Sequence, residues 1–320
     1  MNRLFLALTL LSTTCANGFT DDAVSLATVV DPGPNRLDEA PADSYSLERA
    51  VHFLDAASLQ WQKQRKCFTC HTNIPYLFAR PLVSATTKAH EEVRNFAESL
   101  VDERWPEKGP RWDAEIIAIA CALAVNDANT TRTLHPTTKK ALDRMWTVQR
   151  VDGGWDWLKC DWPPFEYDDH YGVTLAAIAV GAAPGDYAKS QAARLGISRI
   201  RSYLANNPPS HLHHRALLLW ADSYYNDLVT DGERRSYITE LLSLQKADGG
   251  WSTATLGTWE RADGSPQDTQ SSDGYGTGFV LFVLNRAGVP KNDPHIQRGI
   301  AWLKGNQRES GRWITRSLYK

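Results

Sequence analysis

One short pattern occurs three times in the chain and restricts its fold more than any other feature. The first two copies read Gln-Arg-Val-Asp-Gly-Gly-Trp over 149–155 and Gln-Lys-Ala-Asp-Gly-Gly-Trp over 245–251. A third copy over 307–313 keeps the Gln, one Gly and the Trp. Each copy follows a segment with helical periodicity, so the Gly should end that helix and the Trp should fold back over its end. This recurrence predicts a fold built from repeated helical units.

Helical periodicity continues from Ser46 almost to the end of the chain, and strand-like alternation is nearly absent. We therefore predict an all-α fold. A second repeated element supports the helix boundaries, because Asp169-His-Tyr-Gly and Asp273-Gly-Tyr-Gly each open an apolar helix, where an Asp caps the free amides. The predicted helices cover about 47–65, 74–86, 88–103, 113–125, 136–150, 170–182, 189–206, 210–225, 232–246, 275–287 and 294–307.

The three Gln-to-Trp copies resemble the repeat of the terpenoid cyclase and protein prenyltransferase superfamily, which includes squalene–hopene cyclase-like proteins. The resemblance covers roughly residues 47–313. It implies an α/α toroid over 46–320, in which helical hairpins form an outer and an inner ring. If the predicted helices are assigned in turn to the outer and the inner ring, six are outer and five are inner. The last inner helix, expected after Trp313, is then lacking. Either the N-terminal leader closes the ring or the chain is a shortened product or fragment.

The N-terminus has the pattern of a secretory signal over residues 1–16. It begins with a positive charge, continues with the apolar run 4–11 and ends in small residues. The run is too short to span a bilayer, and no later segment is long and apolar enough to do so. Residues 17–45 carry Asp, Pro, Gly and Ser without a sustained period, which predicts a flexible leader. The mature protein is expected to be exported, either periplasmic or extracellular.

Composition excludes some classes of partner and points to one end of the toroid. The 320 residues carry 35 Lys and Arg against 37 Asp and Glu, a formal net charge of −2, which argues against a nucleic-acid binder. Trp is abundant, with 12 residues, and many of them fall in three predicted outer-to-inner turns, 104–112, 151–169 and 247–273. All such turns of a toroid lie at one end. We expect them to share a Trp-rich face with the turn at 66–73.

The turn at 66–72 carries the most specific motif of the chain, Cys67-Phe-Thr-Cys70-His71. This C-x-x-C-H motif resembles the haem-attachment site of c-type cytochromes. The resemblance implies a covalent haem c with thioether bonds at Cys67 and Cys70 and with His71 as an axial ligand of the iron. Two thiols at this spacing are also compatible with a disulfide, a redox dithiol or a zinc pair.

Several His residues are candidates for a second iron ligand. His170 is the first choice, because it stands at the predicted start of an inner helix on the Trp-rich face, where a capping or surface role is the alternative. His211, His213 and His214 open another inner helix and form a lesser candidate.

An enzymatic function would require other residues. Class II cyclases of the superfamily protonate an alkene with an Asp-x-Asp-Asp acid, which needs a carboxyl that stays neutral. The nearest string here is Tyr-Asp-Asp-His over 167–170. The candidate catalytic groups are Asp168, Asp169, Asp273 and Tyr275, which open inner helices beside the Trp-rich loops. For the Asp residues, the alternative role is helix capping.

Three functional hypotheses follow. The first is an exported toroid protein whose covalent haem serves electron transfer to a redox partner protein or another haem-linked redox step. The second is a cyclase-like or lyase-like enzyme that acts on a hydrophobic or polymeric substrate in the toroid cavity. The third is a binding module in which the Cys pair is structural.

Overall fold

The computed structural model describes residues 24–68, 71–83 and 87–320, and the fold of these residues is helical. Pairing of the β type within these ranges is limited to two isolated bridges. The prediction of an all-α fold is confirmed. The predicted signal at 1–16 lies outside the described residues.

All eleven predicted helices form, and most of their ends differ from the prediction by only a few residues. The third helix passes through a π turn, Leu100–Arg104, into one further helical turn, while the second ends in a 3₁₀ turn, Arg80–Leu82. The α-helices in chain order are α1 (Leu47–Arg65), α2 (Asn73–Ala79), α3 (Lys88–Ser99), α4 (Trp105–Lys108), α5 (Asp113–Asn129), α6 (Pro136–Thr147), α7 (Asp169–Ala182), α8 (Gln191–Asn206), α9 (Leu212–Tyr225), α10 (Asp231–Ser243), α11 (Gly274–Arg286) and α12 (Pro294–Gly305).

The long helices form two rings, as the toroid prediction requires. Helices α2, α5, α7, α9 and α11 pack side by side in that order and form the inner ring. Nearly every residue of α5 and α7 is buried, which is typical of helices covered on all sides. The outer helices α1, α3, α6, α8, α10 and α12 bury only part of their surface. Residues 314–320 form no helix, so the inner ring of the described part has five members.

The three sequence repeats make the same hydrogen bonds within their turns. Each Gln Nε2 donates to the carbonyl of the Gly four residues later, at 2.8–3.1 Å. Each Trp Nε1 donates to a carbonyl ten residues earlier, in the preceding outer helix, at 2.7–3.0 Å. The Gly residues adopt φ values of +92°, +93° and +91°, which favour glycine. These repeats therefore pin helix ends, as the sequence predicted for Trp155, Trp251 and Trp313.

Each repeat also joins its own outer helix to the next outer helix. The Gln149 side chain donates to the Gly196 carbonyl of α8, and the Gln245 side chain donates to the His295 carbonyl of α12. In the third copy, Gln307 donates to the carbonyl of Ser46, the N-cap of α1, at 2.9 Å. The last repeat thus fastens the end of the outer ring to its beginning.

The segment before α1 differs from the flexible leader that we predicted. Within its described part, 24–45, Val29 is buried and the Leu26 amide donates to Glu92 at 2.6 Å. Arg312 donates to the carbonyls of Pro32, Gly33 and Pro34. The segment has no sequence period because its backbone is held by these side chains and not by a helix or strand. It contacts α1 and α3 near its start and the turn that follows α12 further along.

Aromatic side chains fill the middle of the ring. Phe78 of α2 and Trp220 of α9 meet edge to face with ring centroids 5.3 Å apart, although their helices are not neighbours in the inner ring. Trp220 also contacts Phe282 of α11, at 4.8 Å. These contacts leave little room at this level for the wide central cavity that an enzyme acting on a large substrate requires.

Candidate functional site

The predicted haem-attachment turn connects α1 to α2 at one end of the toroid. Helix α1 ends at Arg65, and Lys66 takes a left-handed conformation with φ of +48°, which turns the chain out of the helix. Cys67 follows half-buried, and Phe68 is buried and anchors the turn. Thr69 and Cys70 lie outside the described residues.

His71 is the last residue of the motif and lies at the protein surface. Its imidazole meets Trp61 of α1 edge to face, with ring centroids 4.9 Å apart. The outer edge of His71 is exposed to solvent, while desolvation by the protein behind it lowers its pKa. The ring is therefore neutral at pH 7, and neutral imidazole is the form that binds a metal ion.

Two buried donors near this turn have no partner among the described residues. They are Nε1 of Trp61 and Nε of Arg104. Arg104 also pairs with Glu115, and burial and Arg111 lower its pKa whereas the charge of Cys67 raises it. Buried donors normally have partners, and each of these N–H groups is a donor from which a carboxylate can accept a hydrogen bond. The surroundings fit a cofactor that bears carboxylates.

A second group of chemically active side chains lies at the N-termini of inner helices α7 and α9. His170, His211, His213 and His214 are all buried there. The rings of His170 and His214 stack with centroids 6.4 Å apart, and those of His213 and His214 are 5.4 Å apart. Desolvation lowers the pKa of all four imidazoles, so they are neutral at pH 7.

The hydrogen bonds of this histidine cluster fix two of its tautomers. The Nε2 atoms of His170 and His214 face carbonyl oxygens, of Asn207 at 2.8 Å and of Pro164 at 3.2 Å. A carbonyl only accepts, so each Nε2 carries the proton and each Nδ1 presents a lone pair. Neither Nδ1 atom has a hydrogen-bond partner among the described residues. Nδ1 of His214 lies 3.4 Å from the carboxylate of Asp168.

A polar cleft of about 250 Å³ opens beside the histidine cluster. His170 and Asp168 line it together with Tyr203, whose hydroxyl stays protonated at neutral pH because burial raises its pKa. The cleft thus brings together a neutral base, a carboxylate and a hydroxyl donor. The sequence indicated His170 as an iron ligand and Asp168 as an acid, but not that they share one cleft.

The structure places the four candidate catalytic residues in different surroundings. Asp168 caps α7, and Asp169 forms ion pairs with Arg150 at 2.9 Å and Lys159 at 3.1 Å. Although burial opposes it, these two cations hold the pKa of Asp169 below its usual range. Asp273 is buried, caps α11 and accepts a hydrogen bond from the Thr253 hydroxyl at 2.6 Å. Both Asp169 and Asp273 have the contacts of structural anions.

Tyr275 belongs to an aromatic stack and not to an open site. Its hydroxyl lies 2.7 Å from Nε2 of His213, and its ring is parallel to that of Phe279 within 6°. Phe165 closes the stack edge to face at 5.4 Å. The string Ser-His-Leu-His-His at the start of an inner helix had indicated His211, His213 and His214 as a lesser candidate for the second iron ligand, but not their contacts with His170 and Tyr275.

Three further sulfur-bearing residues lie within the described ranges, away from the motif. Met145 and Cys121 are fully buried in the core, and Cys160 is an exposed free thiol. Within the described ranges, no group of three or more His, Cys, Asp or Glu side chains is arranged to hold a metal ion. Among the described helices, none is long and apolar enough to span a membrane.

Fold and repeats together define the class: an all-α toroid whose outer helices are joined by Gln-to-Trp turns. No protein-family model matches the chain. A squalene–hopene cyclase from Zymomonas mobilis subsp. mobilis (strain ATCC 31821 / ZM4 / CP4) is 33% identical to it over 85 residues, which are 27% of this chain and 11% of that enzyme. The chain therefore matches about a tenth of that relative's length. The similarity is consistent with a cyclase-like helical fold.

Proposed function

We propose that the chain is an exported α/α-toroid protein that carries a covalent c-type haem on Cys67 and Cys70, with His71 as an axial iron ligand. One observation carries the proposal: the sequence contains the complete C-x-x-C-H motif directly after α1, and His71 at its end is neutral and open to solvent. When bound, the haem supplies one-electron redox chemistry. Export rests on the signal pattern at 1–16.

The residues around the turn would each contribute to holding the cofactor. Buried Phe68 anchors the turn between the two cysteines, and Trp61 restricts the orientation of the His71 ring by its edge-to-face contact. The unpaired donors of Trp61 and Arg104 offer hydrogen bonds to the carboxylates of a porphyrin. The second iron ligand is a separate part of the proposal, since His170 would have to lose its hydrogen bond to Asn207 if it bound iron through Nε2.

The first prediction tests haem attachment directly. Protein produced in a bacterial strain with haem-attachment machinery should gain the mass of one haem and show the spectrum of a reduced c-type cytochrome. The double variant Cys67→Ala/Cys70→Ala should lose both signals completely. Cys160→Ala is the matched control, because Cys160 is an exposed free thiol outside the motif, and it should keep both. A wild-type mass equal to that of the bare mature chain would leave the disulfide or dithiol as the function of the pair.

A second candidate function is proton abstraction in the polar cleft, as in a lyase acting on a polymer. The observation that favours it is His170, a neutral imidazole that lines the cleft and whose buried Nδ1 atom has no hydrogen-bond partner among the described residues. The ring would have to turn on substrate binding to bring Nδ1 into the cleft. In a β-elimination, Nδ1 would take the proton next to the substrate carboxylate, and the C–H electrons would form the new C=C bond. The bond to the leaving oxygen would break, and the Tyr203 hydroxyl would protonate that oxygen.

The second prediction concerns this elimination. Uronic-acid polysaccharides are suitable probes because their carboxylates acidify the adjacent C–H bond. Cleavage should release an unsaturated sugar detectable by ultraviolet absorption, and His170→Gln should lower the rate by about 10²-fold or more. His295→Gln, outside the cleft, is the control. If the wild-type protein cleaves none of these polysaccharides, this candidate function is eliminated and the haem proposal is unaffected.

A further inference from the structure

An apolar groove lies along one face of α1, beside the turn of the third repeat. It is lined from α1 by residues at the spacing of one helix face: Leu47, Ala50, Val51 and Leu54. Further walls come from Val83 after α2, Gly274 at the start of α11 and Trp313 of the repeat, and the groove holds about 380 Å³. Leu47 and Val83 are 49% and 39% exposed, so the groove is open to solvent. An open apolar surface of this kind is typical of a binding site.

The inner helix that borders the groove, α11, is open on one side. Helix α7 packs between α5 and α9 and buries nearly all of its residues, whereas α11 buries fewer than half. A Cβ at Gly278 would meet nothing within 4 Å, and Phe282, one turn further on, is 37% exposed. Yet α11 consists mainly of apolar residues, which is the composition of a helix covered on all sides. The described part of the chain thus leaves this side of α11 without a neighbour.

The repeats indicate what kind of structure fits the groove. The first repeat leads into the inner helix α7, and the second leads into the inner helix α11. The third repeat ends at Trp313 in the wall of the groove, and residues 314–320 form no helix. The groove therefore lies where the first two repeats are each followed by an inner helix.

The third repeat also offers a positive charge to such a helix. In the first repeat, Arg150 follows Gln149 and pairs with Asp169, the first residue of α7, at 2.9 Å. In the third repeat, Arg308 holds the same position after Gln307. Among the described residues, Arg308 forms no ion pair within 4 Å, and its buried Nε atom has no hydrogen-bond partner. A carboxylate in the first turn of an inner helix is the anion that this position holds in the first repeat.

We propose that the apolar groove binds an α-helix of a partner polypeptide, which takes the place of a sixth inner helix. The partner helix is apolar along the face that enters the groove and carries a carboxylate in its first turn. Inner helices α7, α9 and α11 contain 14, 14 and 13 residues, which sets the length expected of the partner helix. Insertion of an apolar helix face into a groove is a common mode of peptide recognition. This proposal does not depend on the haem.

The probe is a synthetic peptide with the sequence of residues 168–182, which is α7 with its N-cap. This segment follows the first repeat as the partner helix is proposed to follow the third. With a fluorescent label and a polyethylene glycol tail for solubility, the peptide should bind the purified protein saturably in a fluorescence anisotropy titration. A peptide with the same residues in scrambled order should bind at least about 10-fold more weakly. Equal binding of the two peptides, or no saturable binding of the first, would overturn the proposal.

The variant Gly278→Leu tests whether the peptide binds beside α11. A leucine side chain fits here without a clash and replaces a poor helix former, so the fold should stay intact. The variant should bind the peptide at least about 10-fold more weakly than the wild type. Gly305→Leu is the matched control, because Gly305 is a residue of α12 with nothing within 4 Å of its Cβ position, and it should bind like the wild type. Unchanged binding by Gly278→Leu would contradict the proposed groove.

Two further measurements identify the occupant. The peptide with Asp169→Asn should bind the wild type more weakly than the original peptide does, and both peptides should bind Arg308→Gln equally. Equal binding of the two peptides to the wild type would refute the pairing with Arg308. In sedimentation equilibrium, a wild-type dimer that Gly278→Leu dissociates would show that a second copy of this chain fills the groove, and the assignment to a different partner would be overturned.

Discussion

Replacing Gly311 with alanine should destabilise the toroid far more than the same replacement at Gly185. Both residues have left-handed backbones, with φ of +91° and +70°. A Cβ at Gly311 would lie 2.1 Å from the Arg49 carbonyl oxygen of α1, whereas nothing lies within 4 Å of a Cβ at Gly185. We expect a loss of about 1 kcal/mol from backbone strain at Gly185 and about 3–5 kcal/mol at Gly311, where the clash adds to the strain.

The free energy of unfolding in urea provides the measurement, and the other repeats provide a graded series. A Cβ at Gly153 would meet the Arg199 carbonyl oxygen at 2.2 Å, and one at Gly249 would meet the Arg298 carbonyl oxygen at 2.9 Å. Gly153→Ala should therefore resemble Gly311→Ala, and Gly249→Ala should fall between them and Gly185→Ala. Equal losses at Gly311 and Gly185 would show that the repeats do not depend on close approach between outer helices.

The repeats were predictable because each is a local sequence signal with a local structural result. The Gly that ends the helix and the Trp that folds back are a few residues apart, so their hydrogen bonds could be anticipated without knowledge of the ring. The link from Gln307 to Ser46 could not, because it joins residues 261 positions apart. Closure of the outer ring therefore emerged only from the structure.

Other contacts could not be predicted, because the spacing of apolar residues indicates where helices form but not which distant residues contact each other. The segment 24–45 is held by side chains such as Arg312, which belongs to the opposite end of the sequence. The histidine cluster combines residues at the starts of α7 and α9, and α8 lies between these two helices in the sequence. Helix capping and catalysis favour the same Asp residues at the same positions, so only the ion pairs of Asp169 and the hydrogen bonds of Asp273 indicated a structural role.

The structure also limits the space at the centre of this cyclase-like fold. The contact of Phe78 with Trp220 across the inner ring closes the centre at that level. The chemically distinctive residues lie instead in the turn after α1, which bears His71, and in the polar cleft at the start of α7. A fold by itself does not specify an activity, and we propose functions for these two sites and not for the centre of the ring.

The stability of the protein should fall steeply as the pH drops from about 6.5 toward 4, because of the buried histidines. Desolvation lowers the pKa of His214 to about 4, although the carboxylate of Asp168 opposes the shift. An unfolded His has a pKa of about 6.5, so below that pH the unfolded chain takes up a proton that the folded protein does not. Stability is therefore fully present above pH 6.5 and declines until the folded pKa is reached. The shift corresponds to about 3 kcal/mol for this residue.

Urea unfolding at pH 7.5 and pH 5 tests this effect. His214→Gln cannot take up the proton in either state, so its stability should fall less between these two pH values than that of the wild type, by about 2 kcal/mol. His170→Gln is a second variant with the same expected direction, because burial lowers the pKa of His170 as well. His52→Gln, at an exposed position on α1 outside the cluster, is the control for the substitution itself. A wild-type slope retained in both cluster variants would mean that His214 and His170 take up protons alike in the folded and the unfolded protein, which would contradict the lowered pKa values on which this prediction rests.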